Sequence, residues 1–144
     1  MTAPDIRLAV RAGKGLRGTT TVPADKSLSH RAILLGILAN GISHVRGWLA
    51  AGDTEATLRT AQALGVQIDR QDTNTLTVHG GNLQQPKSAL NLVNAGTGIR
   101  LLAGIAAGLP FATVLDGSEQ LRHRPMRRII DPLTQMGAKI DSTD

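Results

Sequence analysis

The stretch PADKSLSHR, Pro23–Arg31, joins a β-branched run to an apolar run and decides how the rest of the chain is arranged. Thr19–Val22 predicts a strand that Pro23 ends, and Asp25 is a good N-cap for a helix through the apolar run Ala32–Ala39. The first turn of a helix leaves backbone N–H groups unpaired and carries the positive end of the macrodipole. The stretch therefore predicts a helix start that favours an anion.

Two cations strengthen this preference. Lys26 and Arg31 follow the predicted cap, and Ser27 lies four residues before Arg31, which puts both on one helix face. A hydroxyl and a guanidinium on one face can hold a carboxylate or a phosphate together, and such a ligand is the first hypothesis. The alternative is that the cations are ordinary solvated charges and that the serines only cap the helix.

Composition limits the class of protein. A chain of 144 residues fits one ordinary domain, and its net charge of +5 is spread along the sequence, which favours dispersed anion contacts. One Trp, one Phe and no Tyr leave almost no stacking platforms for single-stranded nucleic acid, so phosphorylated small molecules fit better than DNA. The absence of cysteine excludes disulfides, thiolate metal sites and a cysteine nucleophile.

Neither a metal site nor a membrane segment is indicated. The histidines show no metal-ligand spacing, and each is interpreted as a surface or structural residue: His30, His44, His79 and His123. No apolar stretch reaches the roughly 18 to 20 residues of a membrane span, and no signal peptide is visible. We expect a cytoplasmic protein without a membrane or nucleic-acid partner.

The chain contains a unit of alternating strands and helices that begins a second time. Residues 5–22 predict two short strands before the first helix. After that helix, the sequence predicts a cap at Asn40–Gly41, a strand Ile42–Trp48 and a helix Thr54–Leu64, which Asp53 caps and Gly65 ends. Two further strands are predicted at Val66–Asp69 and Thr75–His79. The second unit predicts a strand Ser88–Val93, a turn Asn94–Gly98, a helix Ile99–Leu109, a strand Phe111–Leu115, a helix Pro125–Met136 and a strand Gly137–Asp141.

The repeat is also visible in the residues themselves. Leu64–Asp69 matches Met136–Asp141, and Arg31 matches Arg100, at an offset of about 70 residues. The second unit lacks its last predicted strand, and its open edges need neighbours. We therefore expect a fragment of a longer protein, or one half of an assembly.

Two further places favour anions. The turn Asn94–Gly98 is rich in glycine, precedes a helix and is followed by Arg100, but it matches neither the Rossmann nor the P-loop fingerprint. Arg122–Pro125 places two guanidinium groups before another predicted helix. If these helix starts converge, they form a cationic cleft for a ligand with several anionic groups.

Three ordered motifs together resemble the 5-enolpyruvylshikimate-3-phosphate synthase family: PADKSLSHR at Pro23–Arg31, NAGTGIR at Asn94–Arg100 and RHRPM at Arg122–Met126. The resemblance covers essentially the whole chain. The related UDP-N-acetylglucosamine enolpyruvyl transferases share the fold, but their usual catalytic cysteine and their Lys-Asn motif are absent here.

The resemblance implies an activity and a set of binding residues. The family transfers the enolpyruvyl group of phosphoenolpyruvate to the 5-hydroxyl of shikimate 3-phosphate in the shikimate pathway, by addition and then elimination of phosphate, without a metal or an organic cofactor. By similarity, Lys26 contacts both substrates, and Ser27 and Arg31 hold shikimate 3-phosphate. The implied phosphoenolpyruvate site consists of Gly96 and Arg124, lined by Asn94 and Thr97. No catalytic acid or base is assigned to this chain.

The resemblance also implies an architecture of the α/β (α+β) type. The family fold is an inside-out barrel of six repeated strand-helix-strand-helix-strand-strand units in two domains, of which this chain would hold about two. Residues 1–21 would belong to the other domain, 22–83 would form the first repeat, and 84–144 the second. The remaining, C-terminal part of the enzyme is the expected partner, and this chain alone is expected to be inactive.

Two positions depart from the common family pattern. Ala24 stands where Gly is usual, and Leu101 stands where many members have Pro, which bears on sensitivity to the herbicide glyphosate. Gly96 favours sensitivity, because a methyl group there would crowd the inhibitor. Alternatives to an enzyme part are a binding module or scaffold of the same fold that holds an anionic metabolite without chemistry, and, ranked last, nucleic-acid binding.

Overall fold

The computed structural model of the chain describes residues 8–15 and 17–142. The first part holds α1 (Lys26–Leu38), β1 (Gly41–Arg46), α2 (Gly52–Ala63), β2 (Gln67–Arg70) and β3 (Thr75–Gly80). The second part holds β4 (Leu90–Asn91), α3 (Gly96–Ala106), β5 (Leu115–Asp116), α4 (Glu119–Arg122) and α5 (Arg127–Gln135). The fold is thus a partial α/β domain with mixed helix and sheet.

Helix α1 begins where the sequence predicts. The carboxylate of Asp25 accepts a hydrogen bond from the Leu28 N–H at 2.7 Å, as an N-cap should. The helix ends one residue earlier than expected, because Ala39 takes an extended conformation and acts as the C-cap. Asn40–Gly41 is therefore not the cap, and Gly41, with φ of 114°, starts β1 instead.

A three-stranded antiparallel sheet with the order β1-β3-β2 supports α1. The central strand β3 buries Leu76 and Val78 completely, and α1 lies directly on it. The helix and the sheet approach each other closely because each has a glycine, without a side chain, at the contact. A Cβ on Gly36 would lie 3.2 Å from Val78 Cγ1, and a Cβ on Gly80 would collide with the carbonyl oxygens of Gly36 and Ala39. These glycines therefore set the distance between helix and sheet.

Helix α2 covers the range predicted for it, but its start is different. Its N-cap is Ala51, and Asp53 lies inside the first turn, so the prediction that Asp53 is the cap is wrong. The apolar side of this segment packs into the core, where Ala56, Ala61 and Leu64 are buried. Gly65 follows with φ of 87°, a conformation that L side chains rarely adopt, and it ends the helix as expected.

The second part has less regular structure than the sequence predicts. The strand predicted at Ser88–Val93 contracts to β4, the strand predicted at Phe111–Leu115 to β5, and these two-residue strands pair in parallel. The helix predicted from Pro125 begins at Arg127. The separate short helix α4 was not predicted, and Ser118 caps it by accepting from the Leu121 N–H.

Three predicted strands do not form. Gly137–Asp141 is extended or irregular. The described positions of residues 8–22 are so as well, where two short strands were expected, one of them at Thr19–Val22. Positions 5–7 and 16 of that prediction lie outside the described residues. A strand needs a neighbour for its backbone hydrogen bonds, and no described strand runs beside these segments.

The core lies between the helices and one face of the larger sheet. It consists of aliphatic side chains from α1, α2, α3 and β3, together with Trp48, which follows β1. Helices α1, α2 and α3 pack against one another, and the contacts of Lys26 with Asp53 and of Thr57 with Gly98 place their N-terminal parts side by side. None of the helices in the described ranges is long and apolar enough to cross a membrane.

Candidate functional site

The N-terminal halves of three helices meet at a buried polar contact. His30 of α1 is fully buried, and its Nδ1 lies 2.8 Å from Thr57 Oγ1 of α2. Gly98, in the first turn of α3, faces both side chains: a Cβ there would lie 2.7 Å from Thr57 Oγ1 and 3.5 Å from His30 Cε1. The predicted convergence of helix starts is therefore present for α1 and α3, with α2 between them.

On α1, the cation closest to the helix start is held by a carboxylate. Lys26 Nζ lies 2.9 Å from Asp53 Oδ2, and about half of the Lys26 side chain remains exposed. Asp53 belongs to the first turn of α2, so it orients the ammonium group instead of capping its own helix. A half-exposed ammonium in a fixed position can still donate to a ligand, because it carries three N–H donors.

The two other residues predicted on α1 share a face, as expected, and both are exposed. Arg31 NH1 donates to the backbone carbonyl of Ser27 at 3.1 Å. The guanidinium therefore folds back along the helix toward its first turn, and the Ser27 hydroxyl does not contact it. The remaining N–H groups of Arg31 are available to an anion over that turn.

The glycine-rich stretch predicted as a turn is already helical. Helix α3 begins at Gly96, so Gly96, Thr97 and Gly98 form its first turn, and no side chain caps this end because the N-cap is Ala95. Thr97 is exposed there. An uncapped first turn leaves backbone N–H groups that an anion can accept from.

Arg124 lies directly over this helix start. A Cβ on Gly96 would collide with Arg124 NH1, so only glycine lets the guanidinium lie so close to the α3 backbone. Arg124 NH2 donates to Asn94 Oδ1 at 3.3 Å, and Asn94 Nδ2 donates to Gln120 Oε1 at 2.7 Å. The predicted group of Asn94, Gly96 and Arg124 is therefore assembled in one place.

Arg100 fixes the segment that carries Arg124. Its NH1 donates to the Gly96 carbonyl at 2.8 Å, and its NH2 donates to the Pro125 carbonyl at 3.2 Å. The first contact repeats the one that Arg31 makes with Ser27 on α1, as the sequence repeat suggests. Arg100 thus ties α3 to the loop before α5, a structural role that leaves Arg124 as the cation facing the helix start.

Arg122 has a structural partner and does not add to the anion site. Its Nε and NH2 donate to the two carboxylate oxygens of Asp116 at 2.8 and 2.7 Å. The two bonds from Arg122, together with one from the Gly117 N–H, lower the pKa of Asp116 to about 2. The two guanidinium groups of Arg122–Pro125 therefore have different partners: Arg122 joins β5 to α4, and Arg124 lies over the start of α3.

The cations near α3 form an unneutralised group. Burial lowers the pKa of Arg100, and the positive charges of Arg128 and Arg124 lower it further. Within the described part of the chain, no carboxylate forms an ion pair with Arg31, Arg100, Arg124 or Arg128. A surplus of positive charge beside an uncapped helix start suits a ligand with more than one anionic group.

The two groups of predicted residues touch only through the buried layer beneath them. Among the described residues, no hydrogen bond or ion pair joins Lys26, Ser27 or Arg31 to Asn94 or Arg124. The described residues also contain no group of three or more histidine, aspartate or glutamate side chains placed to hold a metal ion. The site therefore consists of two adjacent cationic surfaces above the buried contact of His30 with Thr57.

Four contributors were not predicted as site residues: Asp53, Thr57, His30 and Gln120. The acidic residue in the first turn of α2 was visible in the sequence, but its pairing with Lys26 depends on how α1 and α2 pack. His30 directly precedes Arg31 within the motif, and this position was the signal that the sequence offered. The structure places His30 on the buried face of the helix.

Comparisons with known proteins agree on one family. The sequence profile of EPSP synthase (3-phosphoshikimate 1-carboxyvinyltransferase) matches residues 10–144. The 3-phosphoshikimate 1-carboxyvinyltransferase of Carboxydothermus hydrogenoformans is 50% identical over 131 residues, which cover 90% of this chain and 30% of that protein. The corresponding protein of Alkalilimnicola ehrlichii is 52% identical over 136 residues, which cover 92% of this chain and 30% of that protein.

Solved structures give the same result. The EPSP synthase of Acinetobacter baumannii superposes with a TM-score of 0.82 at 43% sequence identity, over 88% of this chain and 29% of that one. The chain thus spans about 30% of the length of the curated relatives that it matches. On the match over residues 10–144 and on the shared structure, the chain belongs to the EPSP synthase family.

Proposed function

We propose that this chain supplies part of the substrate site of an enzyme that transfers the enolpyruvyl group of phosphoenolpyruvate to the 5-hydroxyl of shikimate 3-phosphate. The observation that carries the proposal is the placement of Arg124 over the uncapped start of α3, beside the start of α1. Both substrates carry several negative charges, and the two surfaces offer cations and free N–H groups to each of them.

Shikimate 3-phosphate is assigned to the α1 surface. Lys26, oriented by Asp53, faces both ligands, and the exposed Ser27 and Arg31 lie on the same helix face. In this assignment Arg31 binds the carboxylate, because a guanidinium fork matches the two oxygens of that group. The contact between Arg31 and the Ser27 carbonyl holds the fork near the first turn of the helix.

Phosphoenolpyruvate is assigned to the α3 surface. Arg124 would bind its phosphate or carboxylate, and the backbone N–H of Thr97 in the first turn would donate to it, since the Gly96 N–H already donates to the Asn94 carbonyl. Asn94 holds the Arg124 side chain in this arrangement, because it accepts a hydrogen bond from Arg124 and donates one to Gln120. The hydrogen-bonded side chains hold the cation in place before the ligand arrives, which reduces the cost of ordering it.

The reaction needs orientation and charge compensation from these residues. The 5-hydroxyl oxygen loses its proton as it bonds to the enol carbon of phosphoenolpyruvate, while the methylene carbon takes up a proton and becomes a methyl group. Elimination then removes a proton from that methyl group and breaks the carbon–oxygen bond to phosphate, which restores the double bond and releases phosphate. Fixed cations on both substrates bring the reacting atoms together and stabilise the departing phosphate, effects worth several kcal/mol for aligned reactants, of the order of 7 or more. No proton-transferring residue is assigned to this chain.

The partner in this proposal is the rest of the enzyme. The domain limits expected from the sequence form part of it, with residues 22–83 and 84–144 as two repeats and residues 1–21 joined to the other domain. As an enzyme of the shikimate pathway the assembled protein would act in the cytoplasm. The proposal requires neither a metal nor an organic cofactor.

Calorimetric titration of shikimate 3-phosphate tests the proposal. The ligand is added to the chain alone, and to the chain mixed with a polypeptide that supplies the part of the Acinetobacter baumannii enzyme outside the match. We expect binding in the mixture, weakened about tenfold to a hundredfold in Arg31→Ala, because a charged hydrogen-bonded contact is lost. Arg59→Ala, an exposed arginine of α2 away from the helix starts, is the matched control and should bind normally.

The same mixtures separate the enzyme from the alternative. Release of phosphate from phosphoenolpyruvate and shikimate 3-phosphate supports the transferase. Binding that depends on Arg31 without any turnover would favour a module that only holds an anionic metabolite. Absence of binding in both preparations would mean that the likeness to EPSP synthases reflects fold and ancestry alone.

Glyphosate sensitivity is part of the proposal. Gly96 leaves room beside Arg124, and a Cβ there would also lie 3.1 Å from Arg100 NH1. Gly96→Ala should therefore displace Arg124 and weaken glyphosate binding at least about tenfold, which an inhibition titration of the assembled enzyme measures. Equal inhibition of both forms would exclude Gly96 as a determinant.

A further inference from the structure

We infer that the His30–Thr57 pair is a positioning element that holds the first turns of α1 and α3 at a fixed separation, and that it does so with a neutral imidazole. The inference rests on the proposed function for the identity of the ligands that this separation serves. Neither residue faces the exposed surface of the site, so neither is assigned a catalytic role. Their effect would pass through the backbone of α3.

The pair forms the common floor of the two anion surfaces. His30 is fully buried and Thr57 nearly so, and their side chains are joined at 2.8 Å. Above them lies Gly98, where even a methyl group would lie 2.7 Å from Thr57 Oγ1. Because neither neighbour is a flexible chain end, the α3 first turn cannot move toward α1 or α2 without displacing the pair.

Hydrogen bonding defines which nitrogen of His30 carries the proton. Thr57 Oγ1 lies 3.3 Å from the Asp53 carbonyl and can donate its single hydrogen there, while it accepts from His30 Nδ1–H. In the other arrangement Thr57 would donate to Nδ1, and the buried Nε2 would carry a hydrogen with no described acceptor. An unmet buried donor is costly, so the Nδ1–H tautomer is favoured.

The contacts also connect the two substrate surfaces. The Asp53 carboxylate holds Lys26, and the Asp53 carbonyl accepts from Thr57, which contacts His30 beneath Gly98. A continuous set of contacts therefore runs from the Lys26 ammonium to the start of α3. A change at the imidazole would alter the spacing of groups assigned to different substrates.

Protonation is the change that would disturb this arrangement. The charged groups that act on the ring are Lys26 and Arg31 from α1 and Asp53 from α2, and α3 faces the ring with the uncharged Gly98. Burial lowers the pKa of His30, and the two cations lower it further against the opposing effect of Asp53. A second N–H on the ring would have no described partner, and the imidazolium would be driven toward solvent.

The test compares shikimate 3-phosphate binding by the assembled protein at pH 7.5 and pH 5.5. The ligand's phosphate gains a proton over the same range, so His30→Asn supplies the background, with an amide that reproduces the Nδ1–H donor and does not titrate. We expect the wild-type protein to lose more affinity on acidification than His30→Asn does, by less than about tenfold, because the pKa of His30 is lowered from its ordinary value and the ring is only partly protonated at pH 5.5. His44→Asn is the matched control, because His44 makes a similar contact, 3.2 Å to Thr77 Oγ1, on the distant sheet.

The sign of the effect separates positioning from simple charge. If His30 acted only as a nearby cation, its protonation would strengthen anion binding relative to His30→Asn. A gain of this kind, or parallel losses in the two proteins, would overturn the inference. Thr57→Val, which keeps the volume and removes the hydroxyl, should weaken binding about tenfold at pH 7.5, and unchanged binding would also contradict the inference.

A measurement without ligand keeps the two proposals distinguishable. In NMR titrations of the chain, the amide signals of Gly96, Thr97 and Gly98 should shift with the same midpoint as the His30 imidazole, and this shift should be absent in His30→Asn. If this coupling appears and no variant binds shikimate 3-phosphate, the proposed function fails and the positioning role stands. If these amides do not follow His30, the positioning role fails whether or not the ligand binds.

Discussion

Helices α2 and α5 end in the same way, but only the segment after α2 becomes a strand. In both, the residue after the C-cap is glycine with positive φ, Gly65 at 87° and Gly137 at 101°. The next residue donates to a carbonyl five positions back in each case: Val66 to Ala61, and Ala138 to Leu133. The local geometry of the repeat is therefore equal in its two copies.

What differs is the surroundings. After Gly65 the chain forms β2 against β3, whereas no described strand lies beside the residues after Gly137. Helix α1 buries six residues, while α5 buries none. The comparison teaches that local sequence sets the helix ends and turns, and that a strand forms only where tertiary pairing is available.

The largest expected effect is in the core of the first part. Ile37 on α1 is completely buried, and Ile37→Ala should lower the free energy of unfolding by about 2–5 kcal/mol, because it removes apolar contacts and leaves a cavity. Urea denaturation followed by circular dichroism measures the change. Ile130→Ala on α5 is the matched control, and the half-buried side chain there should cost less than about 1 kcal/mol. Equal losses would show that α5 is packed as firmly as α1.

A smaller effect is expected where α1 meets the sheet. Gly80→Ala places a methyl group against the carbonyl oxygens of Gly36 and Ala39, and separating helix from sheet should cost about 1–3 kcal/mol. Gly104→Ala is the control, because its Cβ would meet nothing within 4 Å and the position lies inside α3. That change should stabilise the protein by about 0.5–1 kcal/mol. The same urea experiment gives both values, and a neutral Gly80→Ala would mean that α1 and β3 are not in close contact.

Much of the fold followed from short-range chemistry. The capping by Asp25, the apolar face of α2 and the glycine that ends α2 are local properties, and the structure has all of them. The strand expected at Gly137–Asp141 and the shape of the segment from Phe111 to Pro125 were wrong. Pairing in the first case, and a serine-capped extra helix in the second, depend on contacts that a local pattern does not contain.

The candidate site shows the same division. The motifs located Lys26 and Arg31 at the start of α1 and Arg124 beside a predicted helix start, and the structure places Arg124 over the start of α3. Arg122 and Arg124 cannot be distinguished by the sequence motif. Only the position of Asp116 in the structure shows that Arg122 forms an ion pair. Likewise the role of Asp53 follows from the packing of α2 on α1. A spacing pattern identifies cations, whereas their neutralisation by a carboxylate distant in sequence is a tertiary property.

The smallest expected effect concerns the surface pair that joins β5 to α4. Hydrogen bonds from Arg122 and the Gly117 N–H lower the pKa of Asp116 from an ordinary 3.8 to about 2. A lowered pKa means that the unfolded chain binds the proton first, so this stabilisation is complete above about pH 4 and is lost as pH falls toward 2. Asp116→Asn should therefore lower the urea midpoint slightly at pH 6, by an amount that shrinks at pH 3, since exposed ion pairs contribute little.

The second part of the molecule is where this pH dependence should appear. Amide exchange should become faster in β5 and α4 of Asp116→Asn at pH 6, while β3 keeps its protection, because the pair lies outside the larger core. Glu119→Gln is the control, since that carboxylate is exposed and lies 4.0 Å from His123, and it should leave the midpoint unchanged. A midpoint difference for Asp116→Asn that stays constant from pH 6 to pH 3 would exclude ionisation as its cause. The second part would then owe its order to packing, as the first part does.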